Sequence, residues 1–170
     1  MFLFAINACG LRFSDIMTLR WKDIDFPNRR ITKVQVKTRE RATIPMTDAA
    51  MEILKEWRNM KRRNIFVFDL INDDTNINND EVLNDVRNTV NKAINKSLKI
   101  VSEELELPFS ITFHYARHTF AIIAINKGMN ISAISSLLGH RSTAVTETVY
   151  AKYLPSKLQD EVMKLGLNFI

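Results

Sequence analysis

Apolar and polar residues alternate across one short region. Thr32, Val34 and Val36 fall on one side there, and Lys33, Gln35 and Lys37 on the other. A period of two predicts a strand. The polar run Thr38-Arg39-Glu40-Arg41 interrupts it, and the alternation resumes at Ala42, Ile44 and Met46, so a β-hairpin with a basic tip is expected. Elsewhere the apolar spacing is three and four. Thr47 should cap a helix with Ala50, Ile53, Leu54 and Trp57 on one stripe, and Leu83, Val86, Val90, Ile94 and Leu98 mark a long helix that ends by Pro108. Thr112 is expected to cap a helix from 113 to about 127, closed by Gly128. Residues 131–138 read as a short helix closed by Gly139, and 145–153 as another, broken by Pro155. Residues 1–8 read as a buried helix stopped near Gly10, and Ser14 as the cap of a short helix over 15–21. Phe26-Pro27-Asn28 is a turn, 65–70 a short β-like run, and 72–80 an Asn/Asp-rich loop expected to be the most mobile segment. The fold class is α+β, mainly α-helical with a small antiparallel β-sheet.

Length and composition narrow the classes. The 170 residues suit one domain, with 46% hydrophobic and 25% charged residues. A single cysteine, Cys9, excludes a disulfide framework and a Cys-based zinc site. No run approaches the roughly 18 apolar residues of a membrane span. Residues 1–9 are apolar without a basic lead-in, a poor signal peptide, so a cytoplasmic protein is expected. The opening helix has no cap or polar lead-in, which suggests a chain that begins inside a longer parent.

Charge is unevenly placed. Residues 1–63 hold 14 basic and 7 acidic groups, 64–107 hold 4 and 9, and 108–170 hold 6 and 3, for a net charge of +5. Two basic blocks flanking an acidic one suit a face that binds a polyanion, although a solvated basic surface gives the same count. The three histidines, His114, His118 and His140, fall within 27 residues. His114 and Arg117 share a helix face at i, i+3, and His140 follows Gly139 at a helix end. Singly, each could be a surface or packing residue. Their geometries do not form a recognisable zinc pattern.

Taken together, the motifs carry more. Cys9-Gly10-Leu11-Arg12-Phe13-Ser14-Asp15-Ile16, with Leu19, Trp21 and Asp23-Ile24-Asp25, resembles the first box of the tyrosine recombinases, the phage-integrase family. Phe113-His114-Tyr115-Ala116-Arg117-His118 looks like the second box, with H-x-x-R-H at its core, and Leu137-Leu138-Gly139-His140 like the L-L-G-H that follows it. Thr146 to Ala151 is similar to the nucleophile segment, and the hairpin around Lys37-Thr38 to the lysine hairpin. The resemblance runs from about residue 3 to residue 160.

It implies a tyrosine recombinase catalytic-domain fold and a site-specific recombinase of integrase type. Such an enzyme cleaves and rejoins double-stranded DNA through a 3′-phosphotyrosyl intermediate, with no metal and no cofactor. By the same resemblance Arg12 and Arg117 hold the scissile phosphate. His140 donates to a non-bridging oxygen, His114 accepts the tyrosine proton, Lys37 protonates the leaving 5′ oxygen, and Tyr150 is the nucleophile. Guanidinium suits the phosphate because its fork binds two oxygens, and fixed cations suit the anionic transition state. Asp15 is expected to orient an arginine from the second rank, and His118 to support the site by packing. Lys33, Arg39 and Arg41 are the candidate DNA contacts of the hairpin. Tyr153 is a rival nucleophile and Lys33 a rival to Lys37. Cys9 replaces the family's threonine before Gly-Leu-Arg.

The family usually carries an N-terminal DNA-clamping domain that is absent here, so residues 1–170 read as a single catalytic domain. Ser156 with Gln159 forms a capping-box pattern for a last helix. Its stripe Leu158, Val162, Leu165 and Phe169 must be buried, either on its own domain or, as the resemblance implies for 156–170, in trans within a homo-oligomer that is a tetramer on DNA, with a monomer allowed without DNA. A nucleoid-associated protein would follow. Two other readings stay open: a DNA-relaxing enzyme of the type IB topoisomerase kind, and a non-catalytic DNA-binding remnant.

Overall fold

The computed structural model describes residues 1–60, 64–140 and 142–150. Seven helices are described: α1 (Phe2–Asn7), α2 (Phe13–Met17), α3 (Asp48–Asn59), α4 (Asp80–Glu104), α5 (His114–Asn126), α6 (Ile131–Leu138) and α7 (Thr143–Tyr150). Three strands, β1 (Ile24–Asp25), β2 (Arg30–Val34) and β3 (Arg41–Pro45), form one antiparallel sheet in the order β1-β2-β3. The expected class, helical with one small sheet, is what the molecule has. The expected rival Tyr153 and the tail stripe from Leu158 to Phe169 lie outside the described residues.

Local chemistry explains most boundaries. Thr47 Oγ1 accepts the Ala50 N–H at 3.2 Å and starts α3. Asn79 Oδ1 accepts from Glu81 and Val82 and starts α4, whose first turn holds Asp80 and Glu81 where the helix dipole favours negative charge. Asn130 does the same for α6 by accepting from Ser132 N–H at 2.7 Å. Gly139 closes α6 in the left-handed region (φ +62°), which lets the His140 N–H reach Ser135 O at 3.0 Å.

Three expectations need correction. The helix expected over 15–21 is only the five-residue α2, which starts after Arg12 rather than Ser14; a 3-10 turn over Trp21–Asp23 follows. The chain leaves α2 early because Leu19 O and the Trp21 N–H are used to bind the segment after residue 64. That segment, expected as a short β-like run, makes a single bridge among the described residues, Arg20 with Phe66. Thr112 does not cap α5 with its side chain. The Phe113 N–H is instead satisfied by Asn95 Oδ1 of α4 at 2.8 Å.

The main core lies between α1, α2, α3 and the sheet. Phe4, Ile16, Leu19, Ile31, Ile44 and Leu54 are buried there, with Ile31 opposite Ile44 across β2 and β3. A second cluster joins α5, α6 and the end of α7 through Ala121, Ile125, Ile134, Leu138 and Tyr150. α1 packs on α3 and α5, α5 on α6, and α6 on α7. The close fit at the end of α1 needs glycine. Gly10 has φ +68°, and a Cβ there would lie 3.1 Å from Leu138 Cδ2 and from Phe120 Cδ1.

Candidate active site

A cleft of about 740 Å³ opens where α2, the hairpin tip, α4, α5 and the end of α6 meet. Arg12, Lys37, His114, Arg117 and His140 all line it. Sequence positions 12 to 140 therefore converge on one wall-to-wall set of cations and imidazoles.

The two arginines are fixed largely by main-chain carbonyls. Arg12 enters the cleft from the extended residue before α2. Its Nη2 donates to Gly139 O at 2.9 Å and its Nη1 to Gln35 Oε1 at 3.2 Å. Arg117, on the buried face of α5, donates from Nη1 to Gly10 O at 3.1 Å and from Nη2 to Leu138 O, and Nη2 also lies 3.0 Å from His140 Nε2. Burial, and then Arg12, push the Arg117 pKa down to about 10, so it stays a cation at neutral pH. Burial also lowers the Arg12 pKa, against the opposing effect of Asp15.

His140 stands at the mouth of the turn that Gly139 makes. Its Nδ1 lies 2.7 Å from the hydroxyl of buried Thr146 on α7. Burial first, then Arg117, Arg12 and Lys37, push its pKa down to about 4. It is neutral at pH 7. Guanidinium can only donate, so Nε2 is the acceptor and Nδ1 carries the hydrogen. His114, on the exposed first turn of α5, is held below the usual histidine range by burial, His118, Arg117 and Lys37. The lowering favours its neutral form, which can accept a proton.

Lys37 sits on the exposed turn between β2 and β3. Asp15 does not hydrogen-bond an arginine among the described residues, contrary to expectation. It is completely buried, and its Oδ1 accepts the Val36 N–H at 2.7 Å, which anchors the start of the lysine turn. Lys33 is corrected as a DNA contact. It is 7% exposed, and its ammonium donates to Asp15 O at 2.7 Å and Thr18 Oγ1 at 2.8 Å. Burial lowers its pKa. Arg41 is exposed at the start of β3, and Arg39 pairs with Asp80 at the start of α4.

Tyr150 does not line the cleft, although it lies near enough to Arg117 to favour its charged form. It is 3% exposed in the α5–α6–α7 cluster, and its hydroxyl lies 2.9 Å from His118 Nδ1. His118 also meets the His114 ring edge to face at 4.4 Å between centroids. His118 therefore touches both ends of the expected proton path.

Sequence reasoning missed several cleft residues. Arg87, Asn91 and Asn95 line the cleft from α4 at i, i+4 and i+8. That polar stripe, on the same helix as an apolar one, was the available signal. Gln35 and Thr146 gave none, because Gln35 meets Arg12 twenty-three residues away and Thr146 meets His140 only through the way the chain turns between them.

A helical domain with a small sheet and a cleft walled by two arginines, a lysine and two histidines is built to receive an anion. Over residues 1–156 the sequence matches the phage integrase family, and the chain belongs to that family. It is 27% identical, over all of its length and 49% of the relative's, to "Tyrosine recombinase XerC-like" of Caldanaerobacter subterraneus subsp. tengcongensis. It is 26% identical to "Tyrosine recombinase XerA" of Saccharolobus solfataricus, covering 91% of this chain and 46% of the relative. Among solved structures, the XerA recombinase superposes with a TM-score of 0.68 at 19% identity, over 97% of this chain and 57% of that one. The Tn1549 transposon integrase in complex with transposon right end DNA gives 0.67 at 21%, over 98% and 58%. The fold is thus shared. The chain spans about half the length of the relatives it matches.

Proposed function

We propose that this chain is the catalytic portion of a site-specific DNA recombinase that breaks and rejoins DNA by tyrosine transesterification. The observation that carries the reading is the convergence of Arg12, Lys37, His114, Arg117 and His140 on one cleft. The attacking oxygen is that of Tyr150. It forms a bond to phosphorus while the bond from phosphorus to the 5′ oxygen breaks, so one phosphodiester replaces another. The tyrosine proton goes to the neutral His114, and the leaving oxygen takes a proton from Lys37. Arg12 and Arg117 bind the non-bridging oxygens, where negative charge grows in the transition state. A phosphate beside them opposes the repulsion from Arg117, Arg12 and Lys37 that adds to burial in keeping His140 neutral, and so favours a protonated His140 whose Nε2–H donates a hydrogen bond to a non-bridging oxygen.

Tyr150 must leave His118 and swing into the cleft before it can attack. Helix α7, which begins five residues after the last residue of α6, is the element that carries it. The exposed Arg41 and the basic tip around Arg39 meet the backbone of the duplex. Four subunits would act together on the DNA, at the nucleoid in the cytoplasm, with the 156–170 segment exchanged between neighbours.

The test is a nicked suicide substrate, which traps the covalent intermediate. The wild-type chain should form a protein–DNA adduct, and Tyr150→Phe should form none while still binding DNA. An adduct from Tyr150→Phe would move the nucleophile to Tyr153 or Tyr115 and break the proposed order of residues. Strand exchange between two labelled duplexes separates recombination from simple relaxation.

A further inference from the structure

We propose that Gln35 is a positioning residue that locks Arg12 to the turn bearing Lys37; the proposal rests on the transesterification reading above. Gln35 is 3% exposed, an unusual place for a carboxamide unless its polar atoms are used. Its backbone closes the hairpin tip. The N–H donates to Glu40 O at 2.9 Å, and its carbonyl accepts from the Arg39 N–H at 3.0 Å. Its side-chain Oε1 accepts twice, from Arg12 Nη1 at 3.2 Å and from Thr38 Oγ1 at 2.9 Å. One oxygen thus joins the guanidinium to the residue directly after Lys37.

The third wall of this junction is Gly139. A Cβ there would lie 2.5 Å from Gln35 Oε1 and 3.1 Å from Arg12 Nη1. Glycine at 139 therefore serves two needs: the left-handed turn that presents His140, and the space that Gln35 and Arg12 fill. The segments carrying Arg12, Lys37 and His140 meet on a single carboxamide. Its chemistry fits the task. A neutral acceptor orients the guanidinium without cancelling the charge that the phosphate needs, whereas a carboxylate would compete with the phosphate.

Gln35→Met keeps length and shape and removes the acceptor. Single-turnover cleavage of the suicide substrate should fall by about thirtyfold, as expected for a lost hydrogen bond to a charged group. DNA affinity should stay within about twofold. In an Arg12→Ala background the same change should cost less than about threefold, because the group it positions is gone. Full additivity of the two defects, or wild-type cleavage by Gln35→Met, overturns the proposal. Should Gln35→Met not fold, Thr38→Val at the half-exposed turn carries the test. It should slow cleavage of the ordinary substrate and be rescued by a 5′-bridging phosphorothiolate, whose thiolate leaves without a proton. An equal defect on both substrates, or none on either, overturns the link to Lys37. Should the wild type form no adduct at all, the recombinase reading fails by itself. The hold on Arg12 is then read by NMR as guanidinium rotation, expected to be faster in Gln35→Met; an unchanged rate ends the proposal.

Discussion

At the scale of single residues, burial lowers the pKa of both arginines and of His114 and His140 in the site. His140 has a folded pKa of about 4, against about 6.5 for a free histidine. Between these values the unfolded chain holds a proton that the folded chain refuses, so stability should fall as pH drops from about 6.5 to about 4 and level off below. His114, also lowered, adds in the same direction. Urea unfolding across that range should show the slope, and His140→Gln should flatten it; equal slopes would remove His140 as the cause. The arginines give a second prediction. Arg12→Ala and Arg117→Ala should each slow cleavage about a thousandfold, the effect of losing about 4 kcal/mol of transition-state stabilisation. Arg→Lys should rescue poorly because the fork is lost. Cleavage by either alanine variant within threefold of wild type would place that arginine outside the reaction. Arg12, Lys37, His114, Arg117 and His140 were legible in the sequence because each stands in a short run of distinctive neighbours. Gln35, Thr146 and the true partner of Asp15 were not. Their meaning lies in contacts between segments more than twenty residues apart or across a turn, and no local pattern encodes those.

At the scale of elements, the hairpin shows where pattern reading runs out. Alternation marks a strand but not which face turns inward. Ile31, Lys33 and Gln35 are buried while Val34 is 57% exposed, so the inward face is the more polar one. Hydrogen bonds decide this: Lys33 reaches Asp15 and Thr18, and Gln35 reaches Arg12. The outward turn is left to Lys37. If that lysine is the general acid, Lys37→Ala should be severely slowed on an ordinary phosphodiester and restored by a 5′-bridging phosphorothiolate. Comparing single-turnover rates on the two substrates decides it, and a defect of the same size on both would shift the acid elsewhere. The start of α3 and its cap Thr47 were both legible, whereas for α5 the start was legible but the group that satisfies it, Asn95 of another helix, was not.

At the scale of the whole molecule, basic segments from both ends of the sequence fold around one cleft, while the acidic middle supplies α4. DNA binding by such a face releases counterions, so its logarithm should fall steeply and linearly with the logarithm of salt concentration. Filter binding or fluorescence anisotropy across about 50 to 200 mM salt measures the slope. A flat dependence would mean that the basic cleft is not the DNA surface. The fold class and element order were legible because long periodic helices dominate the chain. The place of Tyr150, within the α5–α6–α7 cluster rather than in the cleft, was not, since it depends on how α7 lies against α5 and α6.

The arginine anchors have a consequence for how such a site can drift. Arg12 leans on the carbonyl of Gly139, and Arg117 on those of Gly10 and Leu138. A carbonyl belongs to the peptide link and survives every replacement of a side chain. The anchoring restricts the alphabet at Gln35, whose side chain holds Arg12, and at Gly10 and Gly139, where a left-handed backbone and crowded neighbours disfavour a Cβ. Replacements at Leu138, which lends only its carbonyl to Arg117, should therefore leave the aim of that guanidinium in place as long as the backbone holds.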